Sequence, residues 1–179
     1  HFKPVGDIYR RLFVNLNVIA DFLDRELPNG AKVLDIGGGD GALVDRLLDR
    51  RPDLTVTMCD LAPSIGAFLS NANRPKVELL PATDLSSVQG SYDVVTISDV
   101  IHHVPVDGRD AFFKSLADSC ERWACRKIIL KDIDRSVTKI QKLFAVLDTP
   151  PARVAITAKF VEMTSKYSRD IGFNSISIN

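Results

Sequence analysis

The sequence has little of what marks exported, membrane-bound or nucleic-acid-binding proteins. Its three cysteines, Cys59, Cys120 and Cys125, form neither an even set nor a Cys-x-x-Cys pair, so we expect no disulfide framework and no metal site among them. Lysine plus arginine and aspartate plus glutamate each total 23, which gives no overall field for nucleic acid. No apolar run approaches the roughly 18–20 residues that span a bilayer, and the first residues do not resemble a signal peptide. These absences predict a cytoplasmic protein without a membrane partner, and the balanced charge argues against a nucleic-acid partner.

The 179 residues instead carry short β-rich runs that alternate with helical patterns. Stretches such as DVVTI and KIIL are apolar throughout, which is typical of strands that helices cover on both faces. Amphipathic spacing predicts helices over Ala42–Arg50 and Arg109–Trp123. The expected fold class is α/β, with a doubly wound and mostly parallel sheet. The predicted strands are Lys32–Ile36, Leu54–Cys59, Lys76–Leu80, Tyr92–Ser98 and Lys127–Lys131.

We expect a single domain, residues 1–179, with a flanking segment on either side of a core at residues 31–134. Residues 1–30 have apolar side chains at steps of three and four, which predicts a helix that Pro28-Asn29-Gly30 ends. Residues 135–179 are predicted to form helices at Ser136–Leu147 and Ala158–Ile171. The alternating segment Phe173–Ile178 is predicted to be an edge strand.

The segment VLDIGGGDGA, Val33–Ala42, places glycines where the first strand passes into a helix. Glycine permits positive φ and has no Cβ to keep a ligand away from the main chain. The start of the following helix also exposes unpaired N–H groups. In an open parallel sheet, ligands bind beyond the carboxyl ends of the strands. We therefore interpret Gly37, Gly38, Gly39 and Gly41 as parts of a binding turn.

Aspartates at the strand ends help to choose between two adenosine ligands. The spacing Gly37-x-Gly39-x-x-Ala42, with Asp60 about 20 residues further on, fits a nicotinamide dinucleotide site. Nearby carboxylates would repel the pyrophosphate of such a cofactor, whereas S-adenosylmethionine carries a net positive charge that they attract. The sequence therefore favours S-adenosylmethionine, and a nicotinamide-dependent oxidoreductase stays open as an alternative. The strand-end aspartates are Asp35, Asp60, Asp84 and Asp99.

Four motifs, in this order, resemble those of class I S-adenosylmethionine-dependent methyltransferases. VLDIGGGDGALVDRLL resembles their first motif, TVTMCDLAPSI their acidic second-strand motif, and LLPATDL the segment after their third strand. YDVVTISDVIHHVP is similar to the fourth-strand motif common among small-molecule methyltransferases of the ubiquinone/menaquinone-biosynthesis type. The resemblance covers about Lys32 to Asp132. It implies a Rossmann-like methyltransferase fold that ends in a pair of antiparallel strands, of which the pattern supplies only one.

The same resemblance implies methyl transfer from S-adenosylmethionine to a small-molecule O, N or C acceptor by direct displacement, without a metal. The glycine turn would let the methionine portion of the cofactor approach, Asp60 would bind the ribose hydroxyls, and Leu61 would lie against adenine. The expected cofactor-binding residues are Asp35, Gly37, Gly38, Gly39, Gly41, Asp60, Leu61, Thr83, Asp84, Ser98 and Asp99.

Three of these aspartates also have structural alternatives. Asp60 precedes Ala62 and Pro63 and would serve as a helix N-cap. Asp84, which the resemblance places at the exocyclic amine of adenine, would otherwise be a turn or cap residue. Asp35, which it places near the amino group of the cofactor, would otherwise pin the glycine turn by accepting backbone hydrogen bonds.

His102 and His103 follow the fourth predicted strand and are the candidate catalytic residues. Displacement at a sulfonium gains much of its rate from alignment, and a histidine base helps where the acceptor must lose a proton. Relatives with different acceptors also have a histidine pair at this position, so a pocket-shaping role is the alternative. Lys131-Asp132 ends the fifth strand near the expected active-site edge, with a solvated pair as the alternative.

Another class of function stays open beside the oxidoreductase. A non-catalytic partner subunit with a methyltransferase fold, in a homo- or hetero-oligomer, predicts little cofactor binding by the chain alone. A nucleic-acid methyltransferase is a weaker third interpretation, because the chain lacks basic stretches and an Asn/Asp-Pro-Pro-Tyr-like motif.

Overall fold

A computed structural model of the chain describes residues 16–62, 64–81 and 84–132, together with the backbone of residues 155–160 and 174–177. The first predicted strand and the helix after it are confirmed at both ends, and the other core strands differ from prediction by one or two residues at one or both ends. The helices are α1 Leu16–Glu26, α2 Ala42–Arg50 and α3 Arg109–Arg122. The strands are β1 Lys32–Ile36, β2 Thr55–Asp60, β3 Val77–Pro81, β4 Val94–Ser98, β5 Lys127–Asp132, β6 Ala155–Phe160 and β7 Asn174–Ser177.

The strands form one sheet in the order β3-β2-β1-β4-β5-β6-β7. Every neighbouring pair from β3 to β6 is parallel, and β7 runs antiparallel to β6. The chain moves outward from β1 to β3 and then returns to place β4 on the other side of β1. The predicted doubly wound, mostly parallel α/β sheet is confirmed. Its winding direction changes between β1 and β4, where such sheets bind their ligands.

Two apolar layers cover the sheet, because successive strand residues point to opposite faces. On one face, Leu34 and Ile36 of β1 pack in a cluster with Phe113, Leu116 and Trp123 from the α3 region. On the other face, Phe22 and Leu23 of α1 and the buried side chains of α2 join a cluster that contains Val33, Val56 and Met58. These layers bury both faces of the central strands, so that a ligand reaches the sheet at the turns beyond the carboxyl ends of the strands.

The segment after β5 differs from the prediction. The expected helix Ala158–Ile171 is wrong at its start, because Ala155–Phe160 forms β6 and pairs in parallel with six residues of β5. Ile156 and Thr157 are β-branched and favour this pairing. The chain therefore has an antiparallel pair, β6 with β7, where the sequence supplied a single strand. The remainder of that helix, Ser136–Leu147 and the first half of the N-terminal helix lie outside the described residues.

Among the helices of the described ranges, none combines the length and the apolar character that crossing a membrane requires.

Candidate active site

The glycine turn lies at the change of winding direction, against the turn that follows β4. Gly37 has a φ of +75°, and a Cβ at this position would lie 2.1 Å from Cγ2 of Val100. A Cβ on Gly38 would lie 2.6 Å from Oδ2 of Asp35 and 2.7 Å from Cε of Met58. Both glycines are thus required by contacts within the chain itself, before any ligand is considered.

Gly39 is different, because the protein leaves space beside it. Its φ is +53°, yet a Cβ would meet nothing closer than 3.9 Å. Its amide N–H donates a 2.7 Å hydrogen bond to Oδ2 of Asp60. At Gly39 the main chain is therefore open on the side of the Asp60 carboxylate, which is the close approach that a binding turn needs.

Two backbone hydrogen bonds attach the segment after β2 to the glycine turn. The amide of Gly66 donates to the carbonyl of Gly39 at 2.9 Å, and the amide of Phe68 donates to the carbonyl of Asp40 at 2.7 Å. Gly41 packs against the same segment, since a Cβ there would lie 3.1 Å from Cα of Gly66. The first two turns of the site are consequently one connected unit.

The amino end of α2 already has a carboxylate beside it. Oδ1 of Asp40 accepts a 3.1 Å hydrogen bond from the amide of Ala42, the first residue of that helix. An anionic ligand group would have to compete with this side chain for the positive end of the helix. The contact agrees with the sequence-based preference for a cationic ligand over a pyrophosphate.

Asp60 joins the two turns through both of its oxygens. Oδ2 accepts from Gly39, and Oδ1 accepts from the amide of Ala62 at 2.6 Å. The second bond closes a local turn and does not cap a helix, because no helix begins between β2 and Arg74 in the described residues. Each carboxylate oxygen has a second acceptor position, and Asp60 is only half-buried. Beside it, Leu61 leaves 81% of its surface exposed, an apolar side chain at the rim of the site.

Asp35 lies below the glycine turn, inside the core. It is 5% exposed, and its Oδ1 accepts a 2.6 Å hydrogen bond from the hydroxyl of Thr96 on β4. Burial raises the pKa of Asp35 from its usual 3.8 to about 6, and the nearby Asp60 charge adds to the rise, while the Thr96 hydrogen bond opposes it. This hydrogen bond comes from a neighbouring strand rather than from the amides of the turn.

Asp84 caps a short 3₁₀ turn after β3. Its side chain accepts a 3.0 Å hydrogen bond from the amide of Ser86, and the residue is exposed. This contact is the capping role given as its alternative. Thr83, the other residue expected near adenine, lies outside the described residues.

The carboxyl ends of β4 and β5 carry a group of charged side chains. Asp99, directly after Ser98, has a φ of +58°, and its Oδ2 pairs with the ammonium of Lys131. Oδ1 of Asp99 is buried and lacks a hydrogen-bond partner among the residues the structure describes. Lys131 and Asp132 are both buried, so the solvated-pair alternative is wrong. The reason is that β5 lies between β4 and β6, away from the edge of the sheet.

Asp132 binds the turn Ile101–His103 that follows β4, which we call the histidine turn. Its Oδ2 accepts from the amide of Ile101 at 2.6 Å and from that of His102 at 3.3 Å. Its Oδ1 lies 2.9 Å from Nδ1 of His102. The rings of His102 and His103 are 4.0 Å apart between centroids. The sequence placed Asp132 near the expected active-site edge but did not reveal its contact with His102, which joins two strand ends.

Asp99, His102 and Asp132 place ligand-type atoms within 4.8 Å of one another, as a metal site would. In the structure one oxygen of each carboxylate already has a partner, since the Lys131 ammonium pairs with Oδ2 of Asp99 and an amide of the histidine turn donates to Oδ2 of Asp132. The positive charge beside this cluster is supplied by Lys131. The arrangement therefore matches a network of proton donors and acceptors better than a cation cage.

Solved structures define the class of this fold. Magnesium protoporphyrin IX methyltransferase from Synechocystis PCC 6803, solved with bound S-adenosylmethionine, superposes with a TM-score of 0.60 at 20% identity over 90% of this chain and 76% of that one. Mitomycin 7-O-methyltransferase superposes with a TM-score of 0.55 at 17% identity over 93% of this chain and 42% of that one. The chain thus has the Rossmann-like methyltransferase fold.

Sequence comparison adds the family. A family model described as a methyltransferase domain matches residues 34–122, which include the glycine turn, Asp60 and the histidine turn. This match confirms the resemblance to S-adenosylmethionine-dependent methyltransferases that the motifs carry.

Two relatives share parts of this region. The ubiquinone biosynthesis O-methyltransferase of Acinetobacter baumannii strain ACICU is 36% identical over 81 residues, which are 42% of this chain and 34% of that protein. The malonyl-[acyl-carrier protein] O-methyltransferase of Acetivibrio thermocellus is 41% identical over 49 residues, 27% of this chain and 17% of that protein. The match thus spans about a third of the first relative and less of the second.

Proposed function

We propose that the chain binds S-adenosylmethionine at the glycine turn and transfers its methyl group to a small-molecule acceptor by direct displacement. One observation carries this proposal. The Asp60 carboxylate is held against the open side of Gly39, with an exposed Leu61 next to it. A carboxylate suits ribose hydroxyls, an exposed aliphatic side chain suits the face of adenine, and the open main chain suits the methionine portion.

The remaining expected residues take roles around that centre. Asp35 gives the methionine end a negative character that favours an ammonium and a sulfonium. The buried Oδ1 of Asp99 offers an acceptor for the cofactor's ammonium group. Asp84 keeps its proposed role at the exocyclic amine of adenine in addition to capping its own turn.

The acceptor belongs near the turns after β4 and β5. His102 and His103 are there, and both relatives are named as O-methyltransferases, which favours oxygen over nitrogen or carbon. When the acceptor attacks the methyl carbon, the carbon–sulfur bond breaks and S-adenosylhomocysteine leaves. Because alignment supplies much of the rate of such a displacement, the carboxyl ends of two strands inside the sheet are a suitable support for it.

Calorimetry with S-adenosylhomocysteine, S-adenosylmethionine and NAD tests the proposal. We expect both sulfur compounds to bind and NAD to give no heat. Asp60→Asn should weaken S-adenosylhomocysteine binding at least 10-fold, because hydrogen bonds to a charged partner contribute about 1.5–3 kcal/mol. Asp118→Asn, an exposed aspartate on α3, is the matched control and should bind as the unmodified chain does.

The alternatives give different results in the same experiment. Tight NAD binding without S-adenosylhomocysteine binding would support the oxidoreductase. A folded chain that binds no cofactor until a second chain is added would support the partner subunit.

A further inference from the structure

The histidine turn is built around a buried carboxylate. Asp132 is 1% exposed, comes from a strand 30 residues further along the chain, and contacts His102 through both the backbone and the ring. We infer that Asp132 is a positioning residue, that it fixes His102 as a general base, and that the acceptor of this enzyme is a hydroxyl group. This inference rests on the proposed methyl transfer and adds the proton acceptor and the kind of oxygen.

The hydrogen bonds decide which ring nitrogen carries the proton. The amides of Ile101 and His102 donate to Oδ2 of Asp132, so this carboxylate serves as an acceptor. Nδ1 of His102, 2.9 Å from Oδ1, must then be the donor. A neutral imidazole with its proton on Nδ1 has a lone pair on Nε2. His102 retains 28% exposure of its side chain, so that its ring is reachable by a small molecule.

The charges around the histidine turn stabilise the imidazolium that the reaction produces. The groups around the histidine turn are Asp132, the ring of His103, and the ion pair of Asp99 with Lys131. That ion pair compensates its own charges. Asp132 therefore remains as the carboxylate that stabilises the imidazolium once His102 has taken a proton, the role of the buried aspartate in hydrolase triads.

This arrangement distinguishes between oxygen acceptors. A carboxylate is ionised near neutral pH and needs no base, whereas a hydroxyl must lose its proton as the new bond forms. In the transfer, the hydroxyl oxygen attacks the methyl carbon and the electrons of the carbon–sulfur bond pass to sulfur. The hydroxyl proton passes to Nε2 of His102, so the products are a methyl ether, S-adenosylhomocysteine and a protonated His102. A base that is held in place, as His102 is by Asp132, therefore indicates a hydroxyl acceptor.

The tautomer of His102 tests the positioning role without any acceptor. Long-range proton–nitrogen NMR correlation on ¹⁵N-labelled protein, above the pH at which the histidines titrate, reports which nitrogen is protonated. The chain has three histidines, and His103→Gln assists their assignment. We expect the Nδ1–H form in the unmodified chain and in Asp118→Asn. Asp132→Asn retains an oxygen for the amides but presents its NH₂ group to Nδ1, which should convert His102 to the Nε2–H form. An Nε2–H form in the unmodified chain, or no change in Asp132→Asn, would overturn the inference.

Methyl transfer tests the base and the acceptor class. The hydroxyl probes are 3,4-dihydroxybenzoate and catechol, malonate is the carboxylate probe, and S-adenosylmethionine labelled in its methyl group gives the readout. We expect transfer to a hydroxyl probe, with kcat lowered at least about 10²-fold by His102→Gln and Asp132→Asn and partly restored at high pH. Transfer to malonate alone, to no hydroxyl probe, or at a rate that His102→Gln leaves unchanged would contradict the inference.

Calorimetry on the same samples separates the two proposals. Asp132→Asn should bind S-adenosylhomocysteine as tightly as the unmodified chain. A chain that binds no S-adenosylhomocysteine refutes the proposed function, while the NMR result still decides the tautomer.

Discussion

The two halves of the candidate site are built from different materials. At the carboxyl ends of β1 and β2, main-chain groups form the surface, and the single carboxylate of Asp60 connects the two turns through amides. At the carboxyl ends of β4 and β5, charged and polar side chains form the surface, with buried Asp132 against His102 and buried Lys131 against Asp99. The first half is suited to binding a ligand close to the backbone, and the second to holding and moving a proton.

The difference shows how each half tolerates substitution. A main-chain surface depends on the absence of Cβ atoms and on unusual backbone angles, so its weak points are glycines. A charged surface depends on matched donors and acceptors, so its weak points are single polar atoms left without a partner.

The largest expected effect on stability comes from the half of the site at β1 and β2, which we call the glycine half. Gly37→Ala places a Cβ 2.1 Å from Cγ2 of Val100 at a φ of +75°, and overpacking adds to the cost of a left-handed backbone. We expect the free energy of unfolding to fall by about 3 kcal/mol in urea titrations. Gly30→Ala is the control, since its φ is +65° with nothing within 4 Å of the new Cβ. It should lose only about 1 kcal/mol. Equal losses in the two variants would mean that the two turns do not pack as described.

The next prediction concerns the pH dependence of stability that the buried carboxyl of Asp35 causes. Its pKa is about 6 in the folded chain instead of 3.8, so the folded state holds this proton more tightly than the unfolded state. The contribution of Asp35 to stability is fully present below about pH 4 and is lost as pH rises through about 6, by roughly 3 kcal/mol. Asp35→Asn keeps an acceptor for Thr96 and does not titrate.

Urea titrations from pH 4 to 8 should therefore show Asp35→Asn gaining stability over the unmodified chain as the pH rises. A constant difference across this range would show that burial does not control the Asp35 carboxyl.

The smallest expected effect on stability belongs to Gly39→Ala. Its φ is +53°, but a Cβ there has ordinary clearance of 3.9 Å, so we expect a loss of about 1 kcal/mol. The affinity for S-adenosylhomocysteine in calorimetry should nevertheless fall at least 10-fold, because the methyl group occupies the space left for the ligand. Unchanged affinity would place the ligand elsewhere and remove the distinction between the two halves.

The glycine half was largely predictable from sequence, because its information is local. Strand, glycine spacing and the acidic residue after the next strand all follow from short segments, and Lys32–Ile36 and Ala42–Arg50 were predicted to the residue. The sequence did not reveal that Gly37 and Gly38 are required by Val100, Asp35 and Met58. Such contacts depend on which strands become neighbours.

The half of the site at β4 and β5, the charged half, was less predictable, because the side chains that contact each other there are distant in sequence. His102 was a candidate from its place after β4, but Asp132 lies 30 residues away and was assigned no role with it. The same limit applies to β6. Pairing with β5 determines its conformation, whereas the helical pattern after Ala158 is a local signal that tertiary pairing overrides.

The hydrogen bonds from Gly66 and Phe68 to the glycine turn have a thermodynamic consequence. The segment after β2 is already hydrogen-bonded to the glycine turn before a ligand binds, so binding of the adenosine portion costs little further conformational entropy there. Selectivity at this segment must then come from the shape and charge that are already in place, and a ligand that does not match them gains no affinity from a movement of the segment.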